Sequence, residues 1–236
     1  MNVLALDTST SQASVAITSS EIVLAESTFT CNRSLSARLV PEIEHLLGLA
    51  GLTIKDIDLF AAAIGPGSFT GVRCGVATVQ GLALATGKPC AGFSSLAMLS
   101  MNFALASHPV CTLLDARKSE VYAGLYDSSN GTPTRLIADC VMPIEQFLDL
   151  IVTQNDQPII FVGEGALRYH ETILAHRGER ALFAPISHNT GRAAHGAILA
   201  LDTFHKGIAL TPAQLQPDYI RASEAEIARR AKTLTL

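Results

Sequence analysis

Tryptophan is missing from the chain, aromatic residues make up only 6% of it, and charged residues only 16%. With 48% hydrophobic residues, that scarcity of charge excludes a largely disordered protein and requires a well-buried core. A basic excess is also absent. The formal net charge is −4, so unaided capture of a nucleic-acid backbone is not expected. The five cysteines, at 31, 74, 90, 111 and 140, are widely spaced singles, which fits a reducing cytoplasm and no CxxC redox or zinc site. No two of the histidines at 45, 108, 170, 176, 188, 195 and 205 stand three or four residues apart, so HExxH is absent and no metal site is expected. Gly67, Ser68 and Gly71 miss the GxSxG spacing of a serine nucleophile, and no catalytic residue is assigned. No apolar run approaches the ~20 residues of a membrane span. The start, MNVLALDTST, carries no basic leader, so secretion and membrane attachment are not expected.

The chain is organised around residues 65–85, GPGSFTGVRCGVATVQGLALA. A glycine turn leaves an apolar strand and enters a helix that Gly87 and Pro89 close. Backbone N–H groups at such a turn could hold a phosphate. No lysine stands between Lys55 and Lys88, which excludes a Walker loop, and the third glycine falls at Gly71 where a dinucleotide fingerprint needs it at Thr70. At helical spacing, Val72, Val76, Val79 and Ala83 form a branched face suited to the protein's own sheet. Gly71, Cys74, Gly75, Thr78, Gly81, Leu82 and Ala85 form a second face of small residues. Glycine within a helix costs roughly 1 kcal/mol relative to alanine, so a stripe of them implies close approach of another backbone. The expected occupant is a helix of another protein.

Residues 3–6, 13–17 and 22–27 read as three strands of an antiparallel meander. Leu35, Leu39, Ile43, Leu46 and Leu47 mark one face of a helix interrupted by Pro41. Strands at 59–64 and 90–93 flank the central helix, and an apolar helix is expected over 95–106. The pattern then restarts, with strands at 110–114, 121–126 and 135–140, a helix opened by Pro143, and a strand at 159–162 running into Gly163 and Gly165. LALD at 4–7 parallels TLLD at 112–115. An α/β fold of duplicated βββαβα units follows, with lobes 1–106 and 107–236 facing across a cleft. The alternative is a plain α/β chain whose strands end in Asp because turns favour it. In the two-lobed arrangement Asp7 and Asp115 would approach each other, with Thr8, Ser9 and Thr10 toward phosphate oxygens. With no lysine near Asp7, a reduced nucleotide cleft is expected rather than a working one. A terminal helix is expected over about 223–232, with Arg229, Arg230 and Lys232 at the end where cations suit the dipole, its return to the first lobe being left open.

LALDTST, SARLVPEIEHLL, IGPGSFTGVRCGVATVQGLALATGKP, GFSSLAML, LLDARKSEVYAGLYD and QPDYIRASE, in that order, resemble the bacterial TsaB (YeaZ) family over nearly the whole length. The resemblance implies a two-lobed actin-like, sugar-kinase/Hsp70 (ASKHA) fold. It implies a non-catalytic subunit that binds the catalytic subunit TsaD and, with the ATPase TsaE, supports threonylcarbamoyl transfer (t6A) to adenosine 37 of tRNAs reading ANN codons. Relatives of TsaD carry a metal-binding HxxxH where this chain has Ser95 and Leu99. No cofactor of its own is implied, ATP and magnesium entering with the complex and tRNA only through it. The alternative is an autonomous ATPase or metal-dependent (glyco)peptidase. In the family the first two helices bundle with TsaD, which adds Leu35, Leu39, Ile43 and Leu46 to the small-residue face, and a homodimer through that surface is expected when the partner is absent. Gly75→Leu and Gly81→Leu are both expected to block docking while leaving the fold intact.

Overall fold

A computed structural model describes residues 1–20, 22–30 and 35–221. The first unit runs β1 (Val3–Asp7), β2 (Gln12–Thr18), β3 (Val23–Thr30), α1 (Leu35–Ala50), β4 (Leu59–Gly65), α2 (Phe69–Thr86), β5 (Cys90–Ser94) and α3 (Ser95–Ser100). The second runs β6 (Val110–Arg117), β7 (Glu120–Asp127), β8 (Thr134–Pro143), α4 (Ile144–Gln154), β9 (Ile159–Val162), α5 (Glu164–Arg168), α6 (His170–Arg177), β10 (Ala181–Phe183) and α7 (Ala193–His205). Each forms a five-stranded sheet, ordered β3-β2-β1-β4-β5 and β8-β7-β6-β9-β10. In both, the first three strands are antiparallel and the last two run parallel to the first. The duplication read from the two LD-ending strands is therefore present; the strand expected at 90–93 is the fifth of the first unit, and β10 adds an unexpected fifth to the second.

The first strand shows why the sheet is covered on both faces. Leu4 and Leu6 point into a core shared with Val15, Ile17, Leu39, Ile43, Leu46, Val72, Val76 and Val79. Val3 and Ala5 point the other way, into a core with Ala61, Ala63, Ala193, Ala197 and Ala200. Side chains alternate along a strand, so an uninterrupted apolar run needs helices on both sides. The valine face of α2 packs on its own sheet as expected.

The last helix of each unit crosses to the other sheet. Leu96, Ala97 and Leu99 of α3 pack with Val110, Leu114, Tyr126 and Val162 of the second unit, while α7 closes the first sheet. A Cβ at Gly196 would lie only 2.3 Å from Phe93 Cζ, so glycine lets α7 lie this close without shifting the ring. Beyond it, Leu210 bridges to Cys90 and Leu215 enters the first core. The expectation that residues 107–236 all belong to the second lobe is thus corrected: α7 (Ala193–His205) packs on the first sheet. The expected helix over 223–232 lies outside the described residues. The helix expected over 95–106 stops at Ser100 and passes into a 3-10 turn, Met101–Phe103. Among the described residues no helix is long and apolar enough to cross a membrane.

Candidate functional site

The turn Gly65–Ser68 drives α2 against the loop joining β1 to β2. Ser68 N–H donates to the Ser9 carbonyl at 2.6 Å, the Ser68 hydroxyl accepts from Gly71 N–H at 3.3 Å as the helix cap, and Thr8 Oγ1 donates to the Gly71 carbonyl at 2.7 Å. A Cβ at Gly71 would land on the Thr8 carbonyl oxygen, and one at Gly75 on Thr8 Oγ1. These two glycines therefore admit the chain's own loop, not a foreign helix, which corrects their assignment to the partner face. Leu39, Ile43 and Leu46 are corrected in the same way. They are buried in the first core, with Leu35 packed at its edge, because the apolar face of α1 is spent on its own sheet.

What remains uncovered is the opposite side of α2. Thr70, Arg73, Ala77, Gly81, Leu84 and Ala85 are exposed, and Cys74, Thr78 and Leu82 half-buried. Leu84 is 75% exposed, and Leu49 near the end of α1 is 65% exposed. Nothing lies within 4 Å of the place a Gly81 Cβ would take.

The second region is a cavity of about 280 Å³ between the lobes. Asp7, Ser9, Thr10 and Gln12 line it from the first lobe, Met98 and Leu99 from α3, Leu114, Glu164 and Leu167 from the second lobe, and Asn189, Thr190 and Gly191 from the return to α7. Asp7 is buried. Burial pushes its carboxyl above the usual range, only partly opposed by hydrogen bonds from Ser9. Glu164 is also pushed up, first by burial and then by the neighbouring Asp115 charge. Asp115 itself does not line the cavity. It pairs with Arg168 at 3.3 Å and accepts from Arg117 N–H at 2.9 Å. The expected pairing of Asp7 with Asp115 is thereby corrected, Glu164 supplying the second carboxyl. Thr8 is also turned away, toward α2. Ser95 and Leu99, at the positions compared with HxxxH, both line the cavity. Among the described residues none that lines the cavity is Lys, Arg or His, and no group of three metal-ligating side chains occurs. Glu164 was reachable from the GEG spelling of its turn, whereas residues 189–191 carry no periodic signal.

A buried acid that prefers its proton makes stability depend on pH. The folded state binds that proton more tightly than the unfolded chain, so stability falls as pH rises from about 3.9 through the raised value. Asp7→Asn removes the charge while keeping an acceptor for Ser9 N–H. Its melting temperature is expected to exceed the parent's at pH 7, with the gain vanishing in acid; a parent-like melt at pH 7 would contradict a desolvated Asp7.

Residues 23–229 match the family model described as TsaD, tRNA N6-adenosine threonylcarbamoyltransferase. The chain is 29% identical over 226 residues to the tRNA threonylcarbamoyladenosine biosynthesis protein TsaB of Bacillus subtilis, covering 96% of each. To TsaB of Escherichia coli it is 37% identical over 128 residues, 53% of this chain and 55% of that one. The structure titled YeaZ from Pseudomonas aeruginosa superposes with a TM-score of 0.80 at 30% identity, covering 92% of this chain and 99% of that one. A ROK hexokinase from Thermus thermophilus superposes at 0.52 with 12% identity, over 88% and 100% of the two chains. That likeness shows the two-lobed actin-like, sugar-kinase fold and nothing of function.

Proposed function

This chain belongs to the TsaB (YeaZ) family, and from that premise we propose that it is a non-catalytic docking subunit of the machinery that makes threonylcarbamoyladenosine in tRNA. It binds a TsaD-like catalytic subunit and, with a TsaE-like ATPase, supports transfer of threonylcarbamoyl to N6 of adenosine 37 in tRNAs reading ANN codons. The cytoplasm is its expected place, and tRNA reaches it only through the complex. It uses no cofactor of its own, ATP and magnesium serving the assembled complex, and it self-associates when the partner is absent.

The observation that carries the reading is the uncovered side of α2, an 18-residue helix whose solvent side offers alanine, glycine and leucine with one charge. Small residues allow close helix approach, and full burial of a leucine contributes about 1.5–3 kcal/mol. The cleft supports the same reading. Two acids inclined to hold their protons, in a cavity that no Lys, Arg or His among the described residues lines, are poorly suited to a nucleotide's phosphates.

The test is calorimetric binding of the purified chain to its catalytic subunit. Leu84→Glu with Leu49→Glu is expected to weaken binding at least about tenfold, a typical effect of losing an interface anchor. Both side chains face solvent, so the melting temperature of the chain alone should not move. Undiminished affinity of the double variant would sink the docking reading. ATP turnover by the chain alone that collapses in Asp7→Asn would favour an autonomous ATPase.

A further inference from the structure

One side-chain cluster at the start of α2 serves neither the core nor the cleft. Arg73 is the only charged residue of α2. Its guanidinium lies 3.7 Å from the centre of the Phe69 ring and 5.5 Å from that of Tyr219, two rings 5.2 Å apart. Arg73 Nε donates to the Tyr219 hydroxyl at 2.6 Å. Tyr219 arrives on the segment that follows α7. That segment is pinned where Asp218 N–H donates to the Ile64 carbonyl at 2.8 Å and where Gln80 Nε2 donates to the carbonyls of Pro212 and Leu215 at 2.9 and 2.8 Å.

The restraint has a chemical consequence. Nε is bonded and the guanidinium carbon lies over aromatic rings, while the side chain is exposed, so the two terminal nitrogens of Arg73 are left as a restrained fork. Arg135, Arg168, Arg180, Arg192 and Arg221 each pair with a carboxylate, whereas no carboxylate among the described residues pairs with Arg73. A guanidinium fork matches a carboxylate through two parallel N–H···O bonds. Ordering the long side chain beforehand lowers the entropy lost on binding.

We infer that Arg73 is the specificity contact of the α2 face, a preformed fork that receives an Asp or Glu carboxylate from the protein that covers α2. The inference rests on the docking reading above. A phosphate has the right charge for one fork, but a chain of net charge −4, with Asp218 next in sequence to Tyr219, offers no basic surface to follow a nucleic-acid backbone.

The experiment measures affinity for the catalytic subunit at low and high salt for Arg73→Gln, Arg73→Lys, Tyr219→Phe and Leu84→Glu, with a thermal melt of each variant alone. Arg73→Gln is expected to weaken binding on the order of 30-fold and to flatten its salt dependence. Arg73→Lys should keep the salt dependence while recovering only part of the affinity. Tyr219→Phe, which frees Nε but leaves the ring, should weaken binding less than Arg73→Gln at a similar melting temperature. Equal losses in Arg73→Gln and Tyr219→Phe with a parental salt dependence would mean that Arg73 only pins Tyr219, and would overturn the inference. Parental affinity in Arg73→Gln beside a loss in Leu84→Glu would overturn it and leave the docking reading standing; parental affinity in both would remove both. Self-association or tRNA binding lost in Arg73→Gln with affinity for the catalytic subunit unchanged would also overturn it.

Discussion

Gly75→Leu is expected to destabilise the isolated chain by about 3 kcal/mol or more, the sum of core overpacking and a broken buried hydrogen bond, while Gly81→Leu leaves it folded. The difference lies in what each glycine faces. Beyond Gly75 stands Thr8 Oγ1, on a buried side chain whose hydroxyl is committed to the Gly71 carbonyl, so a leucine must displace Thr8 and break that bond. At Gly71 the obstacle is the Thr8 main-chain carbonyl, which cannot rotate away, and even alanine should be severe there. Beyond Gly81 there is open space, and Gly81→Ala should stabilise by roughly 0.5–1 kcal/mol through helix propensity. Thermal melts check the series. For a chain of this length each 1 kcal/mol moves the melting temperature by about 2–4 °C, so Gly75→Leu should melt roughly 6–12 °C low. A parental melt for Gly75→Leu would refute the close approach of α2 to the β1–β2 loop. Loss of partner binding in that variant therefore reports on folding, and only Gly81→Leu probes docking.

That contrast also marks how far residues alone can be read. A glycine stripe announces that something comes close, and the valine face of α2 correctly announces a sheet. Neither says whether the close neighbour belongs to the same chain. Gly71, Gly75 and Gly81 are chemically identical in the sequence, and only folding sends the first two to Thr8 and the third to solvent. The same holds for α1, whose apolar face was legible while its occupant, the chain's own sheet, was not. Local periodicity found both units of the duplication. It missed α7, whose alanine-rich face is matched to a sheet built from residues 3–94, far earlier in the chain, and β10, three residues long and too short to show alternation. In the cleft, Asp7 was legible because its strand is wholly apolar before it. Asp115 was misplaced because its orientation depends on Arg168, a pairing that no local pattern encodes.

Asp139→Ala is expected to cost about 3–4 kcal/mol, within the range for removing one partner of a buried polar cluster. Asp139 lies on β8, where one carboxylate oxygen accepts from the fully buried Tyr126 hydroxyl of β7 and the other from Ser94 Oγ of the first lobe at 2.6 Å. Ser94 in turn caps α3 by accepting from Ala97 N–H at 3.2 Å. The carboxylate thus ties the second sheet to the helix that crosses to it from the first. Arg135 joins at 3.2 Å, but its side chain is 55% exposed against 10% for Asp139, so that pair should contribute no more than about 1 kcal/mol. The larger effect comes from the phenol. Burial, reinforced by the Asp139 charge, pushes Tyr126 far above the usual tyrosine range, so it remains a donor at any working pH and loses its carboxylate acceptor in Asp139→Ala. Tyr126→Phe removes the donor instead and should cost only about 1 kcal/mol. In the double variant no orphaned phenol remains, so its loss should fall short of the sum of the singles by about 1 kcal/mol or more. Strict additivity in urea melts would show that the phenol and the carboxylate are not coupled. Because none of Asp139, Tyr126 and Ser94 belongs to α2, affinity for the catalytic subunit per folded molecule should be unchanged in Asp139→Ala. Stability of the lobe junction and recognition at α2 are therefore separable by experiment.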